Sequence, residues 1–305
     1  MEALSLKHEV IQPERRVSTP QRRPLLARPG AETAFLVLAR SIIGVALLIL
    51  IALIGDVVLD GAERLTINFF TSYPSRKAEN AGILAAWTGS LWLLVLTITF
   101  ALPLGVGAAV YLEEYGRKSR FTKLVELCIA NLAGVPSVIY GILGLQVFVR
   151  SLGFGRSLLS GALTLALLVL PIIIMASREA LRTVPKGYRE GALALGATKW
   201  QTTWTQVLPV ALPGIATGCI LAFSRAIGET APLITLGALT YVAQVPDSIF
   251  SPFTALPIQS FNWLSRPQTE FHTNAAAAIT VLLAFMIALN LVAIVIRTKF
   301  QKRQR

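Results

Sequence analysis

The chain has 305 residues, of which 54% are hydrophobic and only 14% charged, whereas about a quarter of the residues of a soluble globular domain are charged. That balance excludes an ordinary soluble fold and reads as an all-α integral membrane protein. The formal net charge of +12 does not point to nucleic acid, because much of it lies in the tails and two short loops, where membrane topology accounts for it.

Residues 1–33 are rich in Arg, Pro, Ser and Gln without apolar periodicity, which predicts a disordered basic tail with arginines able to meet anionic lipid headgroups. The run at 34–54 is too long for a signal-peptide core and is taken as the first transmembrane helix. A loop follows to about Asn80. The second span, 82–111, contains Pro103 and Gly105, so a kink is expected there. After a basic loop at 113–123 comes the third span, 124–149, with Asn131, Ser137 and Tyr140 among small residues. Such polar groups are costly against lipid and should face other helices or a cavity. The fourth span is 158–175, the fifth 208–230 and the sixth 275–296, followed by a basic tail at 297–305. The two cysteines, Cys128 and Cys219, lie in apolar runs with no pairing pattern and are read as small buried apolar residues.

Lys and Arg are in excess in both tails and in the loops at 112–123 and 177–206, but not at 55–81 or 244–274. Cytoplasmic loops carry that excess. The alternation therefore fits six transmembrane helices with N and C termini cytoplasmic, and a single transmembrane domain over 34–296.

Between spans four and five lies a polar loop, 178–206. Its end, Glu190 to Pro209, reads as helix, turn, helix. Ala192 and Leu195 fall on the first helix, Trp200 and Trp204 are spaced i to i+4 on the second, and Gly196 between them supplies a left-handed turn. The knob is either an interfacial helix pair or a handle gripped by a soluble partner. Its tryptophans either fill a partner's groove or anchor at the headgroups.

Arg225 and Glu229 follow Pro209 by about 24 to 30 Å of helix at 1.5 Å per residue, deep in the bilayer, where charge costs at least a few kcal/mol unless paired or wetted. They form either a structural i,i+4 ion pair or part of a translocation path, with Arg225 meeting an oxyanion and Glu229 positioning it. Asn131, Ser137 and Tyr140 either line that path or bond between helices. No phosphate-binding loop, zinc-protease motif, nucleophile elbow or Cys/His cluster occurs in the sequence. Catalysis within the membrane has few candidates.

Glu190, Ala192, Gly196, Leu208 and Pro209 resemble the loop signature of permease subunits of ATP-binding-cassette importers. Gly191 and Gln206 depart from it, since the family usually has Ala or Ser and Ile or Val there. From about Asn68 to Arg297 the resemblance is closer. NLAGVPSVIYGILGL at 131–145, LGATKWQTTW at 195–204, RAIGETAPL at 225–233 and TALPIQSFNW at 254–263 look like A-type permease subunits of phosphate importers. The resemblance implies a type I importer permease architecture in a bacterial or archaeal inner membrane. It implies a knob that docks on an ATPase, with Glu190, Ala192, Gly196, Trp200, Trp204, Leu208 and Pro209 as coupling residues. No cofactor is implied in this chain, ATP and Mg being held by the partner ATPase dimer. The other implied partners are a sister permease in a heterodimer, an extracytoplasmic phosphate-binding protein and membrane lipid, with no nucleic acid. The alternatives are an importer permease for another oxyanion or polar solute, and a stand-alone secondary transporter or channel using Arg225 and Glu229 for ion coupling.

Overall fold

The structure, a computed structural model, describes residues 29–116, 119–238 and 241–302, without the side chains of 29–32, 296, 297 and 299–302. The tail as far as residue 28, Arg117 and Lys118 of the basic loop, and residues 303–305 lie outside the described residues. Every regular element described is helical.

Helix α1 runs from Pro29 to Ala62, longer at both ends than the expected 34–54. Pro29 at its start lacks an N–H that would have had no partner there, and the helix-compatible residues after Gly55 prolong it. The described residues divide after Ile54 into two compact units, 29–54 and 55–302. In the first, the apolar residues from Phe35 to Leu53 that flank Arg40 are mostly exposed.

In the second unit α2 spans Leu84–Tyr115 and closes in a π-helical turn, Tyr111–Tyr115. Glu113 and Glu114, assigned from the sequence to a loop, therefore sit on a helix end. The third span is not one helix. Helices α3 (Arg120–Ala133) and α4 (Ser137–Ser151) meet at 102°, because Pro136 has no N–H to donate and biases Val135 away from helical backbone. The Tyr140 hydroxyl donates to the Leu132 carbonyl at 2.8 Å and braces the bend. Helix α3 buries none of its residues, so Cys128 is exposed. The expectation of a buried thiol is corrected there, while Cys219 is buried.

Helix α5 (Leu158–Arg182) is the centre of the unit. Of its most apolar window 72% is buried, more than in any other candidate span, and it packs against α2, α3, α4 and the helix following the knob. The knob's first helix is α6, Lys186–Ala194. Its second is continuous with the fifth span, so a single helix α7 covers Lys199–Gly228. A π turn at Thr203–Val207 precedes Pro209, whose ring would otherwise press on the carbonyl four residues back. Helix α8 is Ala231–Leu236 and crosses α4, with Pro232 and Thr235 against Gly141.

The segment 244–274 holds a short helix, α9 (Leu256–Leu264), before α10 (Glu270–Lys302). Trp263 of α9 is fully buried, with its ring centroid 6.0 Å from Phe69 and 6.4 Å from Phe271. Arg64 joins the same region by donating to Asn274 Oδ1 at 2.6 Å and to the Ala78 and Ala81 carbonyls. Earlier in the same segment, the Asp247 carboxylate accepts the Ser251 hydroxyl and is held by that bond below the ordinary carboxylate range.

Replacing Trp263 by Ala should destabilise the protein by about 3–5 kcal/mol, as for other buried aromatic truncations. Phe261→Ala, at an exposed position of the same helix, should stay within about 0.5 kcal/mol. Unfolding monitored in detergent reads both, and equal losses would show that α9 is not packed as described.

Candidate functional site

The knob is built from local hydrogen bonds. At the end of α6 the Gly196 N–H donates to Leu193 O at 3.0 Å and the Ala197 N–H to Ala192 O at 3.1 Å, the paired bonds of a Schellman stop. Gly196 has φ +83°, which a side chain would strain. One residue after Ala197 the next helix is started by a capping box. The Gln201 N–H donates to Thr198 Oγ1 at 3.3 Å and the Thr198 N–H to Gln201 Oε1 at 2.9 Å. This places Glu190 on the exposed surface of α6 and Ala192 partly buried.

Among the described residues, several of the knob's apolar side chains are left uncovered. Leu195 is 91% exposed, and Tyr188, Leu193, Trp200 and Trp204 are also exposed. The two indole rings lie 5.2 Å apart. Together with Tyr111, Tyr115, Val106 and Leu208 they line an apolar furrow of about 560 Å³ between α2 and α7. Gln206, one departure from the loop signature, is exposed, and the neighbouring Val207 is fully buried at the base of the loop. Pro209 follows Leu208 on the same continuous helix.

Among the described residues, five arginine–carboxylate contacts include four that join the knob's foot to the bundle. Arg178, 8% exposed, reaches Glu126 of α3 at 2.6 Å and Glu113 of α2 at 3.5 Å. Arg182 reaches Glu113 at 3.0 Å. Arg189, the residue before Glu190, grips Glu114 through Nε and Nη2, the latter at 2.6 Å. The same guanidinium donates to Val184 O at 2.9 Å and Leu181 O at 3.0 Å, carbonyls around the end of α5. Sequence reading missed these partners because Glu113 and Glu114 were absorbed into a loop summed as basic. The available signal was two adjacent carboxylates directly after an apolar run.

The fifth contact is Arg225 Nε to Glu229 Oε1 at 3.1 Å, with the arginine side chain 48% and the glutamate 15% exposed. Helix α7 ends at Gly228 and Glu229 is extended, so the pair closes across the helix end. Arg225 also acts electrostatically on the Tyr140 phenol. Asn131 is exposed on α3, and Ser137 is partly buried at the start of α4. Among the described residues no hydrogen bond joins either of them to Arg225. The structure gives Tyr140 a bracing bond to the Leu132 carbonyl and gives Arg225 the Glu229 carboxylate.

Removing one partner of a buried ion pair strands the other charge and costs about 3–5 kcal/mol, whereas replacing both by apolar groups is often nearly neutral. Glu114→Leu should therefore destabilise the protein more than the double change Glu114→Leu/Arg189→Met. Unfolding midpoints of the two single variants and the double variant test this. Strictly additive losses would show that the pair is not coupled.

Residues 101–305 match the family described as binding-protein-dependent transport system inner membrane component. The chain is 33% identical to the probable ABC transporter permease protein YqgI of Bacillus subtilis, covering 77% of this chain and 84% of that protein. It is 34% identical to the phosphate transport system permease protein PstA 1 of Mycobacterium tuberculosis strain H37Rv, over 73% of this chain and 72% of that one. With the PstA of Haemophilus influenzae the identity is 32%, over 76% and 81%. Among solved structures, an inward-facing MetNI methionine ABC transporter superposes with a TM-score of 0.55 at 18% identity, covering 72% of this chain and 95% of that one. An amino acid ABC transporter gives 0.52 at 16% identity over 71% and 93%. At those identities the superpositions establish the fold alone, an all-α membrane architecture shared with importer permeases. The match over residues 101–305, with full-length relatives above 30% identity, establishes that the chain belongs to the binding-protein-dependent transport system inner membrane component family.

Proposed function

We propose that this chain is a permease subunit through which an ATP-driven importer moves inorganic phosphate across the cell membrane. The observation that carries the solute is the similarity, over about three quarters of the chain, to permeases named for phosphate transport. The permease works with an ATPase dimer that holds ATP and Mg, a sister permease and an extracytoplasmic phosphate-binding protein. The basic loops and both termini face the cytoplasm, as the charge alternation argues, and the knob meets the ATPase there.

The exposed knob supports this reading physically. Leu195, Trp200 and Trp204 present apolar surface that a partner's groove would cover, with Glu190, Ala192 and Gly196 holding the shape of α6 and Leu208 and Pro209 joining it to the span. Closure of the ATPase pair is delivered to the knob. The Arg189–Glu114 and Arg178–Glu126 contacts carry the displacement to α2, α3 and α5. At the other end of α7, Arg225 faces the path and offers an oxyanion its guanidinium. Glu229 moderates that charge, so the anion is not held too tightly to pass. Tyr140, Ser137 and Asn131 provide polar groups on the α3–α4 side of the same path.

In a reconstituted complex, phosphate-loaded binding protein should stimulate ATP hydrolysis more than sulfate-loaded or empty protein. Equal stimulation by all three would overturn phosphate specificity. Arg225→Ala should abolish uptake while the subunits still co-purify. Normal phosphate uptake by that variant would remove Arg225 from the path.

A further inference from the structure

The Arg225–Glu229 pair sums to no net charge, so it gives an approaching anion little reason to enter. An arginine without a counter-ion stands at the far end of α8. Arg156, in the turn between α4 and α5, is exposed and takes part in none of the ion pairs among the described residues. Its guanidinium lies against Gly237, the residue that follows α8. A Cβ at Gly237 would fall 2.7 Å from Arg156 Nε and 3.0 Å from Cζ. Gly237 also has φ +92°, so its missing side chain serves both the left-handed turn and the seat of the arginine.

Helix α8 separates the two charged positions along the chain. Helix α8 has six residues, about 9 Å at 1.5 Å per residue; Glu229 precedes its first turn and Gly237 follows its last. It packs against α4, the helix that also carries Tyr140. Arg150, at the end of α4, likewise has no carboxylate partner among the described residues. The Phe154 ring lies 6.2 Å from Phe250, placing the turn that holds Arg156 beside the 244–274 segment, away from the basic loops in sequence and in charge.

We propose that Arg156 is an anion-receiving residue at the outer mouth of the permeation path, meeting the phosphate before it moves along α8 to Arg225. This rests on the phosphate reading above. The guanidinium lies against Gly237, and Arg156 is otherwise exposed. The contact is therefore oriented, and too incomplete to trap the anion. Exposure lets salt screen it, and a planar fork held in place suits an oxyanion better than a mobile ammonium does.

The test uses the complete importer, with ATPase, sister permease and loaded binding protein, reconstituted in vesicles and assayed for phosphate moved per ATP hydrolysed. Co-purification of the subunits reports assembly. Arg156→Gln should lower the ratio about tenfold, the size of one charge-assisted hydrogen bond, and should weaken the dependence of uptake on ionic strength. Arg156→Lys should recover part of the ratio. Gly237→Ala, which displaces the guanidinium but keeps its charge, should lower it in the same direction. A wild-type ratio in Arg156→Gln, or in Gly237→Ala should the first not assemble, overturns the proposal. A deficit confined to phosphatidylglycerol vesicles and absent from phosphatidylcholine ones also overturns it, assigning the arginine to a lipid headgroup. A wild-type complex that moves no phosphate would overturn the solute reading instead, whatever Arg156 does.

Discussion

Arg189 binds the Glu114 carboxylate at the end of α2 and, with the same guanidinium, the Leu181 and Val184 carbonyls at the end of α5. Helix ends leave carbonyls without intrahelical partners, and a desolvated arginine needs several acceptors to be tolerated. Each requirement is met by the other. The knob is consequently anchored at its foot while its apolar residues stay uncovered. Arg178 and Arg182 extend the arrangement to Glu113 and Glu126, so the ends of α2 and α5 and the middle of α3 share charges at the base of a single loop. A load applied to this knob meets α2 and α5 directly through charge-assisted bonds.

The opposite end of α7 solves a different electrostatic problem. Arg225 and Glu229 neutralise one another at 3.1 Å, which lowers the cost of placing either charge away from water. The arginine remains half exposed, and the Tyr140 hydroxyl is committed to the Leu132 carbonyl. The bend between α3 and α4 sets Gly141, the residue after that braced phenol, against Pro232 and Thr235 of α8. A straight third span would have carried Tyr140 elsewhere.

Much of this was legible from residue order. The apolar runs located the long helices, and Gly196 between two amphipathic stretches marked the turn of the knob. Other features were visible without being interpretable. Gly134 and Pro136 stood inside the third span, yet an apolar run of that length looks the same whether it continues or turns by 102°. The Trp-containing stretch at 254–263 looked like loop because its nine-residue helix is too short to span, and only packing against Phe69 and Phe271 makes it core. Cys128 looked buried because its run is apolar, but apolar residues here also face outward from an unburied helix.

What the sequence by itself determined was the membrane class, the approximate helices, the knob with its glycine stop and the presence of Arg225 and Glu229. Those are properties of length, periodicity and hydrogen bonds between near neighbours. Tertiary structure alone decided which charges meet. Arg178 and Glu126 are 52 residues apart, Arg189 and Glu114 75, and the seat of Arg156 on Gly237 joins two separate turns. A guanidinium carries the same charge wherever it falls in the chain, so its partner is set by which helix ends the packing around α5 brings within about 3 Å.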